Sequence, residues 1–201
     1  MASRKENDEL GQKILNTAQA LFNRYGVEEV SMHQVAKTAG IGQGTLYRRY
    51  PSKSKICLTL MEAKIDRFFQ DLDDYLRSSG EEPVSLRLRT VMYRVILLIN
   101  EDLEWLRVVL TSERLEESKN NLCTNSPFNY LQLQIKSLLE HAAEQGSLKP
   151  LDPAFTSLLL VTLPRADVIL HLRDMGCDAE QIAEQYCRSF VDTLFIDSPE
   201  N

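Results

Sequence analysis

Apolar residues recur along the chain at intervals of three and four, which is the spacing of one face of an α-helix. Near the N-terminus, Ile14, Ala18 and Phe22 follow this spacing. No stretch keeps the strict alternation that a half-buried strand requires, and the hairpin pairs Asn-Gly and Asp-Gly do not occur. Several glycines directly follow helical stretches, where glycine is favoured because it adopts left-handed conformations without strain. The pattern therefore predicts an all-α fold of about nine helices.

Four helices are predicted in the first 80 residues. Ser31, with Gln34 three residues later, forms a capping box in which each side chain meets the other's free backbone N–H. Pro51 ends the third helix because proline has no N–H to continue the hydrogen-bond pattern, and Ser52 can cap the fourth. The predicted ranges are 9–25, 31–39, 42–50 and 53–79.

Five further helices are predicted after residue 80. Asp152 followed by Pro153 is a start signal, because Asp accepts free N–H groups and proline suits the first helical position. Pro164 lies inside this helix and should kink it, because it removes one backbone hydrogen bond. The predicted ranges are 85–100, 103–110, 128–145, 152–175 and 178–195, with a polar loop at 120–127.

A tight glycine turn joins the second and third helices, as in a helix-turn-helix module. Leu46 and Tyr50 lie on one face of the third helix and are expected to pack inward. The opposite face is polar, aromatic and cationic, which suits a helix that places side chains in a DNA major groove. The candidate DNA-contacting residues are Ser31, Gln43, Gly44, Thr45, Tyr47, Arg48, Arg49 and Lys53.

The third helix offers chemistry that suits both bases and phosphates. The amide of Gln43 can pair with adenine through one donor and one acceptor. Gly44 lets the backbone approach the DNA closely. Tyr47 can give its hydroxyl to a phosphate or its ring to a thymine methyl group. Arg48 and Arg49 can bind phosphate or guanine.

Three candidates flank this helix. Ser31 and Lys53 lie at the starts of helices, where the N-terminus favours phosphate, and Thr45 lies beside the exposed face. A capped short helix, a glycine turn and a Tyr-Arg-Arg segment can also occur in a helical bundle that does not bind DNA. Geometry alone therefore leaves both interpretations open.

The charge distribution favours DNA contact through the N-terminal part. The whole chain of 201 residues has a net charge of −6. Residues 1–55 carry nine basic and five acidic side chains, a net charge of +4. Residues 56–201 carry 14 basic and 24 acidic side chains, a net charge of −10. A basic N-terminal part on an acidic remainder suits phosphate contact through the N-terminal part only.

Residues from about Ile14 to Leu60 resemble the N-terminal domain of the TetR family of bacterial transcription regulators, over roughly a quarter of the chain. The matching residues are Ile14, Ala18, Leu21, Phe22, Tyr25, Gly26, Ser31, Val35, Ala36, Ala39, Gly40, Ile41, Gly44, Thr45, Leu46, Tyr47, Tyr50, Pro51, Ser52 and Lys53. The family positions that commonly touch DNA correspond to Ser31, Gln43, Thr45, Tyr47, Arg49 and Lys53. Gln43 and the Arg48-Arg49 pair depart from the family's usual residues, which should change the operator that is bound.

The resemblance also implies an organisation for the whole chain. Residues 1–52 would form the DNA-binding domain, and residues 53–197 a helical domain that dimerises and binds a small-molecule effector. The expected partner is a palindromic double-stranded DNA operator, bound by a homodimer whose two third helices lie about 34–36 Å apart. The effector would change this spacing, with the fourth helix as the lever. Repression is the family's usual mode, and no cofactor is implied.

The last two predicted helices have apolar faces that suit a four-helix bundle between two subunits. The candidate dimer-interface residues are Phe155, Leu159, Thr162, Ile182, Tyr186 and Phe190. The alternative is that these faces serve only the subunit's own core. An effector pocket is expected among the fourth to eighth helices. Its candidate residues are Tyr93, Trp105, Phe128, Tyr130, Arg165 and His171, although aromatic side chains at helical spacing usually pack in a core.

Several classes of protein lack the residues they would need. The sequence has no evident nucleophile–base pair or phosphate-binding loop, so an enzyme is not expected. His33, His141 and His171 do not have metal-ligand spacing. No run of 18 apolar residues predicts a membrane span, and the polar N-terminus is unlike a signal peptide, so we expect a cytoplasmic protein. A helical interaction module that dimerises without binding nucleic acid is the alternative.

The four cysteines are Cys57, Cys123, Cys177 and Cys187. They form no C-x-x-C pair and have no zinc-ligand spacing. We expect reduced thiols, most of them buried as small apolar groups. Redox activity at one of them stays an open alternative, because reactivity depends on exposure and on electropositive surroundings.

Overall fold

The computed structural model describes the backbone of residues 2–113 and 126–196 and the side chains of residues 8–108 and 128–196. Over these ranges the chain forms ten α-helices without a β-strand, so the predicted all-α class is confirmed. The helices are α1 (Ala2–Tyr25), α2 (Met32–Ala39), α3 (Gln43–Arg49), α4 (Lys53–Ser78), α5 (Val84–Glu101), α6 (Leu103–Glu113), α7 (Ser126–Glu144), α8 (Pro153–Thr162), α9 (Ala166–Asp174) and α10 (Ala179–Tyr186).

Most helix ends agree with the sequence pattern within a few residues. The exception at the N-terminus is α1, which begins at Ala2 and not near Glu9. The prediction relied on an apolar stripe, and the mostly polar residues before Glu9 carry none. Most of the loop predicted at 120–127 lies outside the described residues, and α7 begins at Ser126.

The kinked helix predicted over 152–175 is two helices, and this is why the described chain has ten helices where nine were expected. α8 and α9 form a pair bent by 50°. Between them, Pro164 cannot donate a backbone hydrogen bond, and its ring opposes continuation of the helix. Arg165 then takes an extended conformation, with φ −76° and ψ 140°, before α9 begins.

The last helix is shorter than predicted. α10 ends at Tyr186, and the chain continues as a π-helical turn, Cys187–Val191, and a 3-10 turn, Asp192–Leu194. The start of α10 agrees with the sequence, because Asp178 and Gln181 form the expected capping box. An isolated antiparallel bridge then joins Phe195 to Leu148.

The described residues divide into two compact units. The first contains the chain up to Arg67 together with Glu104–Glu113, and the second contains Phe68–Leu103 and residues 126–196. This division differs from the predicted boundary at 52/53, because Ile56 and Cys57 of α4 are fully buried in the core of the first unit. The functional domain limits of 1–52 and 53–197 stay a prediction.

The first unit has a small core built from α1 to α4. Its buried residues are Ile14, Ala18, Phe22, Val27, Val30, Val35, Ala36, Leu46, Tyr50, Ile56 and Cys57. Trp105 of α6 packs against this core, with its ring 5.9 Å from that of Phe22 in an edge-on arrangement. The core fixes α3 from one side and leaves its other side to solvent.

The second unit is organised around α5. Leu88, Val91 and Met92 of this helix are completely buried among residues of α7 and α10. Arg89 of α5 pairs with Glu184 of α10 and with Asp192, which ties the C-terminal turns to the centre of the unit. Among the described residues no single helix is long and apolar enough to cross a membrane; α8 and α9 meet the length and composition criterion only as a bent pair.

Candidate nucleic-acid interface and apolar groove

α2 begins with the predicted capping box. The backbone N–H of Gln34 donates to Ser31 Oγ at 3.2 Å, and the backbone N–H of Ser31 donates to Gln34 Oε1 at 2.7 Å. The Ser31 hydroxyl also donates to Gln34 Oε1 at 2.9 Å. Ser31 is exposed, but its hydroxyl proton is used within the cap. Its first role is therefore to start α2.

The turn between α2 and α3 depends on Gly40. This residue has φ 67° and ψ 37°, a left-handed conformation that glycine adopts without strain. The next N–H, that of Ile41, donates to the carbonyl of Ala36 at 3.0 Å and closes the end of α2. The turn sets the direction in which α3 leaves.

α3 has the two faces that the sequence predicts. Leu46 is 0% exposed and Tyr50 is buried in the same cluster as Val35 and Ala36, so the inward face is confirmed. Tyr47 on the opposite face is 47% exposed. The exposed residues of this face are Gln43, Gly44, Tyr47 and Arg48, and Thr45 and Arg49 are half-buried. These six residues form what we call the α3 surface.

Gln43 is linked to α2 through His33. The Gln43 amide Nε2 donates to His33 Nδ1, so the imidazole accepts at Nδ1. Both side chains are exposed. One amide proton of Gln43 is therefore held within the protein, while its carbonyl oxygen and second N–H keep their hydrogen-bonding capacity.

Arg49 lies against α1. A Cβ atom added to Gly11 of α1 would come within 2.4 Å of the Arg49 guanidinium. Gly11 is buried beneath this group, and no larger residue would leave the space that the guanidinium occupies. Glycine inside a helix lowers helix stability by up to about 1 kcal/mol relative to alanine. The space needed by the Arg49 guanidinium accounts for glycine at this position.

Lys53 faces the loop between α1 and α2. Its ammonium donates to the carbonyl oxygens of Val27 at 2.6 Å, Glu28 at 3.0 Å and Val30 at 3.0 Å. An ammonium has three donors, and three carbonyls match them. The side chain thus joins the start of α4 to the end of the α1–α2 connection, where the sequence predicted phosphate contact.

The second unit has an apolar groove of about 510 Å³. It lies along α8, α9 and α10 at the break between α8 and α9, with Ile96 of α5 also in its wall. Its other lining residues are Thr162, Leu163, Pro164, Arg165, Val168, Ile169, Leu172, Cys177, Gln181, Ile182, Gln185, Tyr186, Ser189 and Phe190. The polar groups are few, as in small-molecule sites generally.

Of the six candidate effector contacts, Arg165 lines this groove. Its Nη2 atom lies 2.9 Å from Asp167 Oδ2. The structure does not bring the six candidates together there. Trp105 belongs to the first compact unit, and His171 is exposed on α9. Phe128 is half-buried at the start of α7.

The two tyrosine candidates have partners of their own. Tyr130 packs on Phe69, with ring centroids 4.6 Å apart, and its hydroxyl donates to Asp73. Burial, followed by the bond to Asp73, raises the pKa of Tyr130 to about 12. Burial and the charge of Glu180 also raise the pKa of Tyr93.

The dimer-interface candidates fall into two groups. Ile182 and Tyr186 are buried in their own unit, and the Tyr186 hydroxyl donates to the carbonyl of Leu160 at 2.8 Å. Both side chains therefore contribute to the core of the second unit. Phe155, Leu159 and Phe190 are exposed, and Thr162 is half-buried. Leu163, Val168 and Met175 are also exposed large hydrophobic residues of this region.

Sequence reasoning missed the partners of several site residues. His33 and Gly11 each contact a residue of α3 from another helix, and no local pattern links such pairs. The groove follows from the Pro164 break, which the sequence signalled only as a kink. In the described part of the chain, no three His, Cys, Asp or Glu side chains are grouped so that they could hold a metal ion.

Comparison with known proteins agrees with this geometry. Residues 14–59, which include α2, α3 and the start of α4, match the family described as "Bacterial regulatory proteins, tetR family". An HTH-type transcriptional regulator of Staphylococcus aureus (strain USA300) is 42% identical over 87 residues, which are 41% of this chain and 47% of that protein. The same values hold for its counterpart in strain COL. The chain spans about half the length of the curated relatives it matches.

Solved structures extend the likeness to almost the whole chain. A TetR/AcrR family regulator from Thermobifida fusca has a TM-score of 0.66 at 18% identity, covering 92% of this chain and 97% of that one. A regulator from Saccharomonospora viridis, solved in complex with choline, has a TM-score of 0.67 at 19% identity, covering 95% and 100%. FadR from Bacillus subtilis, in complex with stearoyl-CoA, has a TM-score of 0.61 at 18% identity, covering 91% and 98%. At these identities the likeness concerns the fold.

The fold and the α3 surface define an all-α protein with an N-terminal helix-turn-helix unit. The matched segment makes this description more specific for the first unit. Residues 14–59 are similar to the N-terminal segment of the tetR family of bacterial regulatory proteins.

Proposed function

We propose that this protein is a homodimeric transcriptional repressor that binds a palindromic operator through α3 and releases it when a small molecule binds the second unit. The observation that carries the proposal is the α3 surface. Its residues can contact bases and phosphates, while the opposite face of α3 is fixed by Leu46 and Tyr50 in the core. Repression comes from the family's usual mode, and the protein would act in the cytoplasm without turnover of a substrate.

Each residue of the surface has a proposed role. Gln43 contacts a base edge, Gly44 permits close approach, and Tyr47 and Arg48 reach phosphate or base. Arg49 contributes a guanidinium held near α1. The edge residues Ser31, Thr45 and Lys53 complete the proposed contact set, with Ser31 and Lys53 acting mainly by holding α2 and α4 in place.

The proposed dimer forms through α8 and α10. Of eleven large hydrophobic side chains exposed in the described residues, six lie on α8, on α9 or beside the ends of α9 and α10. Such a concentration is typical of a protein–protein interface. Two copies would together form a four-helix bundle and present two α3 helices to successive major grooves. Phe155 and Leu159 do not line the groove, so substitutions at these residues test dimerisation separately from ligand binding.

The proposed effector site is the groove. Its volume of about 510 Å³ fits one small molecule, and its apolar wall with Arg165 at one side suits an apolar body carrying an acceptor or anionic group. Relatives of the same fold were solved with choline and with stearoyl-CoA, which are chemically different molecules. The groove's own chemistry is therefore the better guide to the ligand class.

DNA binding is tested with the DNA upstream of the gene that encodes this protein. Fluorescence anisotropy should show a complex that prefers this DNA over scrambled DNA and weakens as salt rises. Gln43→Ala should relax base preference, and Arg48→Ala should weaken binding to the upstream DNA. Gln145→Ala, a change of the same kind directly after the second-unit helix α7, should leave binding unchanged. The absence of a salt-sensitive, sequence-preferring complex would leave the interaction-module alternative.

The groove is tested with 1-anilinonaphthalene-8-sulfonate, an apolar anion of the proposed class. We expect saturable fluorescence enhancement that Ser189→Phe, inside the groove, strongly reduces. Thr193→Phe is the control, because Thr193 is exposed and does not line the groove. Equal dye binding by both variants would place the dye elsewhere and reject the groove as the effector site.

A further inference from the structure

We propose that His33 of α2 is a positioning residue for base recognition, which selects one orientation of the Gln43 amide and so sets the base preference at one operator position. The inference rests on the proposed function, since it concerns the same α3 surface. It is carried by the hydrogen bond from Gln43 Nε2 to His33 Nδ1, which joins the two helices of the module.

A glutamine amide has two orientations that differ by exchange of its oxygen and nitrogen. With Nε2 toward His33, a donor meets the acceptor Nδ1. After a flip, Oε1 would meet Nδ1, and in the Nε2–H tautomer two lone pairs would face each other. This tautomer of the imidazole therefore favours one orientation of the amide, and it does so before DNA arrives.

The favoured orientation leaves a defined pattern for a base. Gln43 keeps the Oε1 acceptor and one N–H donor, which is the pair that matches the N6 amino group and N7 of adenine. In the flipped amide, donor and acceptor exchange places, and the pattern no longer matches the same adenine. Both side chains are exposed, so the amide is available to a base edge while His33 holds it.

The hydrogen bond also lowers the entropic cost of recognition. A free glutamine side chain samples several rotamers, and ordering it on binding opposes the complex. Gln43 is the first residue of α3, and its backbone is fixed by the Gly40–Gly42 turn. With the far end of its side chain held by His33, Gln43 is ordered at both ends. Discrimination by a good bidentate pair corresponds to about fivefold or more between bases.

The test measures relative binding to a set of operators that differ at single base pairs. His33→Ala should reduce the preference for one base at one position in each half-site by about fivefold or more, approaching the level of Gln43→Ala. The double variant should lose no more than Gln43→Ala alone, because His33 acts through Gln43. His33→Asn should restore the preference, since its Oδ1 can accept in place of Nδ1.

Three results separate this inference from its alternatives. Additive losses in the double variant, or an unchanged preference in His33→Ala, overturn the role of His33 while the DNA-binding proposal stands. Equal weakening on every operator, without rescue by Asn, indicates a structural role and also overturns it. A wild-type protein without any sequence preference overturns both the inference and the proposed function. Circular dichroism of His33→Ala should match the wild type, because His33 is exposed and Ser31 caps α2.

Discussion

The ammonium nitrogen of Lys53 lies 2.6 Å from the carbonyl oxygen of Val27, and two further carbonyls of the same loop complete its hydrogen bonds. The position of Lys53 at the start of a helix predicts contact with phosphate. Its charge holds the start of α4 to the α1–α2 connection. Because Lys53 holds these segments together, it affects DNA binding through the stability of the first unit as well as through its charge.

Lys53→Ala should therefore destabilise the first unit. A hydrogen bond to a charged group is worth about 1.5–3 kcal/mol, so we expect a loss of about 1–3 kcal/mol in the free energy of unfolding. The only tryptophan of the chain, Trp105, packs on the core of this unit and reports its unfolding by fluorescence in urea. DNA affinity should fall alike for all sequences.

Lys55→Ala is the matched control. Lys55 is an exposed lysine of the same helix, two residues further on. Its removal takes away the same charge but none of the three carbonyl contacts, and surface charges contribute little to stability. Equal unfolding curves for the two variants would contradict the role assigned to the Lys53 contacts.

The sequence predicted those parts of the site that depend on neighbouring residues. The Ser31–Gln34 cap, the Gly40 turn and the buried Leu46 follow from local patterns that have a direct physical cause. Contacts between separate helices could not be predicted in this way. The contact between Arg49 and Gly11 depends on how α1 and α3 pack, which a local sequence pattern does not reveal.

The groove shows the same limit. Pro164 predicts a kink in the helix, but the size of the bend is set by packing in the second unit. The break is large enough to separate α8 from α9 by a 50° bend and to open a cavity beside α10. Periodicity places Ile182 and Tyr186 on an apolar face, but it cannot distinguish a face buried in its own core from a face buried in a partner.

Gly11→Ala should separate stability from DNA binding. The new methyl group would collide with the Arg49 guanidinium, which is the end of a flexible side chain and can move. Alanine favours the helix by up to about 1 kcal/mol relative to glycine, so thermal stability should stay equal or rise. DNA affinity should fall several-fold, because Arg49 is displaced from its place beside α1.

The Gly11 effect on DNA must act through Arg49. Arg49→Ala should lower affinity by itself, and Gly11→Ala added to it should cause no further loss. Thermal denaturation and anisotropy on the same samples provide both measurements. An undiminished affinity of Gly11→Ala would show that the place of Arg49 beside α1 does not contribute to binding.

Phe155→Glu should weaken the dimer and, with it, operator binding. Phe155 is 63% exposed on α8, in the apolar region that we assign to the interface. A buried carboxylate without a partner strongly opposes association. Sedimentation velocity should show a shift toward monomer, and binding to a full operator should fall more than binding to a half-site. Leu133→Glu is the control, since Leu133 of α7 is also 63% exposed. A dimer that withstands Phe155→Glu would place the interface elsewhere.

Cys57 should make the first unit sensitive to alkali. Burial raises the pKa of its thiol from 9.0 to about 11. Because the folded pKa lies above the unfolded one, the stabilising effect of the neutral thiol is complete below about pH 9 and is lost as the pH rises through about 11. Urea unfolding followed by Trp105 fluorescence should show stability falling over this range. The fall should be smaller in Cys57→Ala, which has no thiol to titrate. Parallel pH curves for the two proteins would contradict a buried, neutral Cys57.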